Sequence, residues 1–246
     1  MKRRDFLLKS SQAAVFSSLP WSFYGGFFQN EIKVNQVLGI DDKHLSKSEI
    51  PLEMDTLSAF QQMKSEAKQE GIDLRIVSGY RSFARQKAIW ERKFKNYTKE
   101  LSAEGAVQKI IAFSSIPGTS RHHWGTDIDL IDGAVTRPKG DLLLAENYHG
   151  NGAFCKLKTW LDKNSERFGF HLVYTDNFDR SGFQYEPWHY SYKPKSLTFL
   201  NIQQSENYRK SWEKLNFEGK LVLDSEFMNN YFEKYSLGIN PSLMPS

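Results

Sequence analysis

The 246-residue chain has a single cysteine, Cys155, which excludes an intramolecular disulfide. Beyond the first 30 residues no stretch is long and apolar enough to cross a bilayer, so no stable membrane span is expected there. Lysine and arginine never form a block of five, and no nucleic-acid-binding module is recognisable, so nucleic acid is not an expected partner. The net charge of +4 suits an anionic polymer without identifying one.

Residues 1–30 are interpreted as an export signal or N-terminal segment outside the folded core. Arg3 and Arg4 precede a weakly apolar stretch over 13–28, a pattern that resembles a twin-arginine export signal. Pro20 interrupts the stretch and makes a stable membrane-spanning helix unfavourable. Because of this resemblance to an export signal, we expect an exported, periplasmic protein. The alternative interpretation of the segment is a short basic amphipathic helix.

Hydrophobic spacing predicts several helices separated by single short strands. The helices are expected at 53–70, 82–97, from 102 to the Pro117–Gly118 break, and 154–168. The strands are expected at 72–78, 127–131, 170–174 and 186–192. This order favours an α+β fold, a small antiparallel sheet with helices packed around it. Cys155 falls on the apolar side of the fourth helix and is expected to be a buried structural thiol.

Residues 196–246 are too apolar for a disordered tail. Their aromatic residues include Trp212, Phe217, Tyr231 and Phe232, and such a composition is typical of packed structure. We expect a C-terminal extension of one or two helices packed on the core.

Two histidines and a carboxylate indicate a metal site on the sheet. His122 and Asp129 lie seven residues apart with Gly125 between them, and His189 follows about 60 residues later. Two histidines with one carboxylate are a common ligand set for catalytic Zn2+, which keeps its fourth position open. Glu186, three residues before His189, is the candidate general base.

Two neighbours compete for these positions. His123 is the rival of His122, and in an extended chain it would point to the opposite side. Asp127 shares a strand face with Asp129, so either the metal takes one carboxylate and the other supports it, or Asp127 reaches an edge.

The predicted last strand raises a separate geometric problem. In a strict strand, Glu186 and His189 would face opposite ways. A bend is therefore needed to bring base and ligand together, and Pro187 makes such an irregularity reasonable.

The wider motifs resemble those of a known family. Ser120, His122, Gly125 and Asp129 fit the pattern Ser-x-His-x-x-Gly-x-Ala-x-Asp, and 186–189 fits Glu-x-Trp-His. Together they resemble the VanY-type D-alanyl-D-alanine carboxypeptidases, zinc peptidases that trim peptidoglycan stem peptides. The resemblance takes in the 78–82 segment and Gln86, and covers roughly residues 50–195. Asp127 stands where the family has a small alanine.

The resemblance implies a zinc carboxypeptidase catalytic domain over 31–195 that removes a terminal D-alanine. It implies Zn2+ held by His122, Asp129 and His189, with Glu186 as general base. It gives Arg81 a catalytic and substrate-binding role through its planar fork, and gives Gln86 and Ser120 substrate contacts. The alternatives are a carboxypeptidase of LD-specificity, an endopeptidase that cuts peptidoglycan cross-links, and a non-catalytic wall-binding module with structural zinc.

Overall fold

The structure, a computed structural model, describes residues 32–245, so the predicted export signal lies outside the described residues. Its α-helices and strands, in chain order, are α1 (Val34–Val37), α2 (Met54–Gln69), β1 (Leu74–Ser78), α3 (Phe83–Tyr97), α4 (Ala103–Ile111), β2 (Asp127–Asp132), α5 (Cys155–Asn164), β3 (Phe170–Leu172), β4 (His189–Tyr192), α6 (Lys193–Gln203), α7 (Glu206–Glu213) and α8 (Ser225–Tyr231). Among these described helices, none has both the length and the apolar character that crossing a membrane requires.

Serine residues mark the starts of several helices. The hydroxyl of Ser82 accepts a hydrogen bond from the Arg85 amide at the start of α3. Ser102 does the same at α4, where it accepts from the Gly105 amide. Each serine satisfies a backbone N–H that has no partner within its helix, so the helices begin where the sequence predicted.

Four antiparallel strands form the sheet in the order β1-β2-β4-β3, which confirms the predicted α+β architecture. Side chains alternate across a strand. Ile128 and Leu130 of β2 and Tyr190 of β4 belong to a hydrophobic cluster shared with α2 and α5. The polar residues between them, Asp129 and His189 among them, therefore lie on the opposite face.

A second hydrophobic cluster joins α3 and α4 to the C-terminal segment. It contains Trp90, Ile110, Phe199, Tyr208 and Trp212, all at most 4% exposed. The prediction of one or two helices after residue 195 was wrong in number, because α6, α7 and α8 all fall there or begin just before it. The apolar residues were recognised, but their spacing spans three short helices.

Several smaller predictions needed correction. The helix expected from 102 to the Pro117–Gly118 break is α4, which ends at Ile111, and the strand expected at 170–174 is β3, which ends at Leu172. Cys155 is half-buried because it is the first residue of α5, ahead of the buried Leu157 and Leu161. Strand β1 begins at Leu74, since the Ile72 amide bonds back to Ala67 at the end of α2. The predicted 154–168 helix is α5 followed by a separate 3-10 turn.

Candidate active site

Asp129 and His189 lie directly opposite each other on the paired strands β2 and β4. Opposite residues on antiparallel strands project from the same face, with Cβ atoms about 4.5–5.5 Å apart. Asp129 is 4% exposed and His189 3% exposed, so both belong to the interior. The sheet register alone thus brings together two residues separated by 60 positions in the chain.

His122 reaches the same place from a 3-10 helix formed by Arg121–Trp124. Gly125 ends this helix with a φ of 71°, and a Cβ there would lie 2.4 Å from Leu45 and 2.9 Å from the Glu53 amide. Only glycine fits this left-handed, crowded turn. The His122 and His189 rings are 4.7 Å apart between centroids.

The three predicted ligands have the geometry and chemistry of a metal site. Their potential ligand atoms all lie within 4.8 Å of one another. His122 Nδ1 is 2.8 Å from the Gly79 carbonyl, which can only accept, so Nδ1 carries the proton. The Nε2 lone pair then faces an Asp129 oxygen at 3.4 Å. Two electron-rich atoms at this distance fit a cation between them.

Asp129 itself is incompletely satisfied. Its Oδ1 is buried and has no hydrogen-bond partner among the described residues. Burial raises the pKa of Asp129 to about 7, and the nearby Glu186 carboxylate acts in the same direction. A divalent cation would supply both the missing partner and the missing positive charge, so the residues fit zinc.

His189 is oriented by carboxylates at both ring nitrogens. Nε2 lies 3.1 Å from Asp127 Oδ1 and Nδ1 lies 2.8 Å from Glu186 Oε2. Burial lowers the pKa of His189, but the hydrogen bonds to Asp127 and Glu186 outweigh it and raise the pKa to about 10. With Nε2 bonded to Asp127, Nδ1 is the atom on the metal side, 3.8 Å from Asp129 Oδ1.

A turn before β4 brings Glu186 to this site. The predicted strand from 186 was wrong at its start, because β4 begins at His189. The His189 amide instead bonds the Glu186 carbonyl at 3.0 Å, and Pro187, which has no N–H, lies within this turn. The bend that the sequence required is therefore present, and Glu186 and His189 meet.

Arg81 lines the same cavity as His122, Asp129 and His189. Its guanidinium donates to Gln86 Oε1 at 3.0 Å and to Ser78 Oγ at 3.2 Å, and its amide donates to the His122 carbonyl. Burial lowers the pKa of Arg81, while Asp129 and Glu186 oppose this effect. Arginine stays charged in proteins, and the contacts with Gln86 and Ser78 hold its fork in one orientation.

The other two predicted substrate contacts have different settings. Ser120 is 2% exposed and lines the cavity beside His122. Gln86 is fully buried behind Arg81, and its amide nitrogen donates to the Ser115 carbonyl at 2.6 Å. Substrate contact by Gln86 stays a prediction, and its observed contacts are with protein groups that orient Arg81.

Sequence reasoning missed the polar network behind His189. Arg121 Nε donates to Asp127 Oδ1 at 2.7 Å, and Thr126 and Ser191 hydroxyls donate to Oδ2. Burial raises the pKa of Asp127, but the Arg121 charge and the hydrogen bond with His189 together outweigh it and hold the pKa below its usual range. The unusual second aspartate was a signal that a cation must lie nearby, but the sequence did not identify Arg121.

The rival histidine, His123, is fully occupied by backbone groups. Its Nδ1 lies 2.5 Å from the Arg81 carbonyl, and its Nε2 accepts from the Gly118 amide at 3.2 Å. Both ring nitrogens are used, so the structure brings His122 and not His123 to Asp129 and His189.

The site opens into a cavity of about 200 Å³ lined by Arg81, Ser120, His122, Asp129, Tyr174, Phe183, Glu186, Trp188 and His189, among others. Three potential metal ligands beside a carboxylate and an arginine in one cavity match the arrangement that metal-dependent hydrolases use.

Comparison with known proteins gives the family. Residues 49–195 match the family model VanY, D-alanyl-D-alanine carboxypeptidase. This match covers more than half of the chain, and the protein belongs to that family.

Two curated relatives show the degree of similarity to individual proteins. The D-alanyl-D-alanine carboxypeptidase of Enterococcus faecalis (strain ATCC 700802 / V583) is 31% identical over 128 residues, which are 51% of this chain and 42% of that protein. YodJ of Bacillus subtilis (strain 168) is 33% identical over 138 residues, 56% of this chain and 44% of that protein. The chain thus spans less than half the length of these two curated relatives.

Among solved structures, the fold is similar to a vancomycin-resistance D,D-pentapeptidase VanY variant in complex with Zn(II). The two are 25% identical with a TM-score of 0.46, and the match covers 67% of this chain and 88% of that one.

Proposed function

We propose that the protein is a zinc-dependent metallopeptidase, a carboxypeptidase that removes a terminal D-alanine from peptidoglycan stem peptides. One observation carries the proposal: the buried cluster of His122, Asp129 and His189 shares a cavity with Glu186 and Arg81. Membership of the VanY family supports the substrate class.

His122 through Nε2, Asp129 and His189 through Nδ1 would hold the zinc ion. Zinc there would supply a Lewis acid that makes a water molecule acidic near neutral pH. Three protein ligands leave a position open, whereas structural zinc sites are usually closed by four. Within residues 32–245 the cluster has three members, which favours the enzyme over a wall-binding module with structural zinc.

Glu186 takes the proton from the attacking water and passes it to the departing amine of D-alanine. Its side chain is 28% exposed, so it can meet water and substrate while contacting His189. Arg81 points its fork at the substrate and stabilises the negative charge that develops on the carbonyl oxygen. Ser120, beside His122, is placed to bond the peptide.

The test is mass analysis of purified stem peptides before and after incubation, with and without a chelator. The expected result is the loss of one terminal alanine, abolished by the chelator and restored by zinc. Separation of cross-linked dimers into monomers would instead identify an endopeptidase. Binding to peptidoglycan without any change in mass would identify a wall-binding module.

For Arg81, we predict that Arg81→Lys lowers turnover by about 100-fold, the typical effect of removing one donor to a developing oxyanion. Lysine keeps the charge but not the planar fork that Gln86 and Ser78 hold. Steady-state kinetics, zinc content and thermal stability should be measured on one preparation. Arg85→Lys, at an exposed neighbouring position, is the control. A loss of stability with normal turnover of the folded fraction would make Arg81 a structural residue only.

We also propose that the catalytic domain spans 31–195 and that the protein is exported to the periplasm, with residues 1–30 as its signal. Replacing Arg3 and Arg4 by lysines is then expected to keep the protein in the cytoplasm, because a twin-arginine signal is read through this pair. Cell fractionation compares the two forms. Equal recovery from the periplasm would show that a different export route is used.

A further inference from the structure

A short loop, residues 116–119, leads directly into Ser120 and the 3-10 helix that carries His122. All four of its residues are buried. Gly118 adopts a φ of 88°, and a Cβ there would lie 2.9 Å from Leu215 and 3.1 Å from Trp212. Buried backbone groups in such a loop need hydrogen-bond partners from elsewhere in the protein.

Side chains of the C-terminal segment provide at least one hydrogen bond to each residue of this loop. The Tyr231 hydroxyl accepts from the Ile116 amide at 3.2 Å, and Trp212 Nε1 donates to the Pro117 carbonyl at 3.0 Å. The Tyr208 hydroxyl donates to the Gly118 carbonyl at 2.6 Å. Gln203 Nε2 donates to the Thr119 carbonyl at 3.1 Å. These four side chains lie outside the 49–195 family match.

The same contacts extend to Arg81. The Gly118 amide donates to His123 Nε2 at 3.2 Å, and His123 Nδ1 lies 2.5 Å from the Arg81 carbonyl. Gly118 therefore links Tyr208, which donates to its carbonyl, with His123, which accepts from its amide. The loop continues into the 3-10 helix that carries the candidate ligand His122. Its hydrogen bond to His123 connects it to the Arg81 backbone.

The C-terminal segment also contacts the chain that leads to Glu186. Asn240 bonds the backbone carbonyls of Leu172 and Val173 at 2.9 and 2.8 Å. Arg180 donates to the carbonyls of Phe183 and Gly238, which joins a cavity-lining residue to the C-terminal segment. The C-terminal segment therefore contacts both the 116–119 loop and the chain that leads to Glu186.

We infer that Gln203, Tyr208, Trp212 and Tyr231 act as positioning residues, a clamp on the 116–119 loop that sets the geometry of His122 and Arg81. The inference builds on the proposed function and extends it to residues outside the family match. The C-terminal segment then supports the site of the 31–195 catalytic domain through these hydrogen bonds. Partners that hold a ligand in place typically affect metal affinity or activity by about 10- to 100-fold.

The test uses the full chain with Gln203→Met and Tyr208→Phe combined, which removes two donors and keeps the side-chain volumes close. Met228→Ala is the matched control, because Met228 is buried in α8 and makes no bond to the loop. We expect zinc affinity, measured against a competing chelator, to fall by about 10-fold in the clamp variant. We expect kcat to fall more than KM changes. Neither effect is expected in the folded fraction of the control.

Amide hydrogen exchange over residues 116–124 gives a readout that needs neither zinc nor substrate. Exchange there should accelerate in the clamp variant and not in Met228→Ala. Unchanged exchange, or equal zinc affinity and kcat in the two variants, would overturn the clamp. If the parent protein neither binds zinc nor cleaves peptide, the proposed function fails, and exchange still decides whether the clamp exists.

Discussion

Glu186→Gln is expected to lower turnover of a D-alanine-terminated peptide by about 100- to 10,000-fold, the usual cost of losing a general base. Zinc content should stay near that of the parent. Glu186 is not among the three candidate ligands, and the glutamine amide that replaces its carboxylate has the same size. It cannot accept a proton from water.

Solvent exposure distinguishes Glu186, the proposed general base, from the other two carboxylates of the site. Asp127 and Asp129 are only 0% and 4% exposed, Asp127 within the network around Arg121 and Asp129 beside the two candidate histidine ligands. Glu186 lies on a turn outside the strand and is 28% exposed at its side chain. It alone of the three can meet both the attacking water and the leaving amine.

Zinc analysis and kinetics on the same preparation test this prediction. Glu233→Gln, at an exposed position away from the cavity, controls for the loss of one charge. Turnover near that of the parent would remove Glu186 from the mechanism. Loss of zinc together with activity would instead make it a metal ligand or a support of His189.

Local patterns predicted the parts of the fold that depend on local physics. The helix expected at 53–70 is α2, because Phe60, Met63 and Ala67 recur at helical spacing and all face the core. The strand expected at 127–131 is β2. By contrast, the start of β4 depends on a turn at Pro187 whose geometry no periodicity encodes.

The same distinction applies to the candidate site. His122, Asp129 and His189 could be predicted from the sequence because they belong to two short motifs, at 120–129 and 186–189. The partners of the 116–119 loop could not, since they lie 84 to 115 positions further along the sequence. Arg121 is only six positions from Asp127, but its side chain meets it through a 3-10 helix that the sequence did not reveal.

The two aspartates of β2 are expected to differ sharply when each is replaced. Asp129→Ala should abolish zinc binding and activity, because Asp129 faces both histidines and has a buried oxygen without a partner among the described residues. Asp127 lies on the far side of His189 and bonds its Nε2 at 3.1 Å. Its replacement should leave the ligands in place and weaken zinc binding by about 10- to 100-fold, as for other groups that orient a ligating histidine.

Stability must be measured alongside zinc affinity, because Asp127 also neutralises Arg121. The Asp127 and Arg121 side chains are 0% and 4% exposed, and breaking such a buried pair typically costs about 3–5 kcal/mol. Asp127→Asn is the gentler variant, since its amide oxygen can still accept from Arg121 or His189. Zinc titration against a competing chelator, on the folded fraction of each variant, separates orientation of His189 from loss of fold.

The ranking of the two variants decides which carboxylate holds the metal. Zinc retained by Asp127→Asn and lost by Asp129→Ala would assign Asp129 as the ligand and Asp127 as the group that fixes the tautomer of His189. In that case the aspartate at the family's small-residue position orients a ligand without joining the metal. The reverse, with Asp127→Asn empty and Asp129→Ala loaded, would place the ligand two residues earlier.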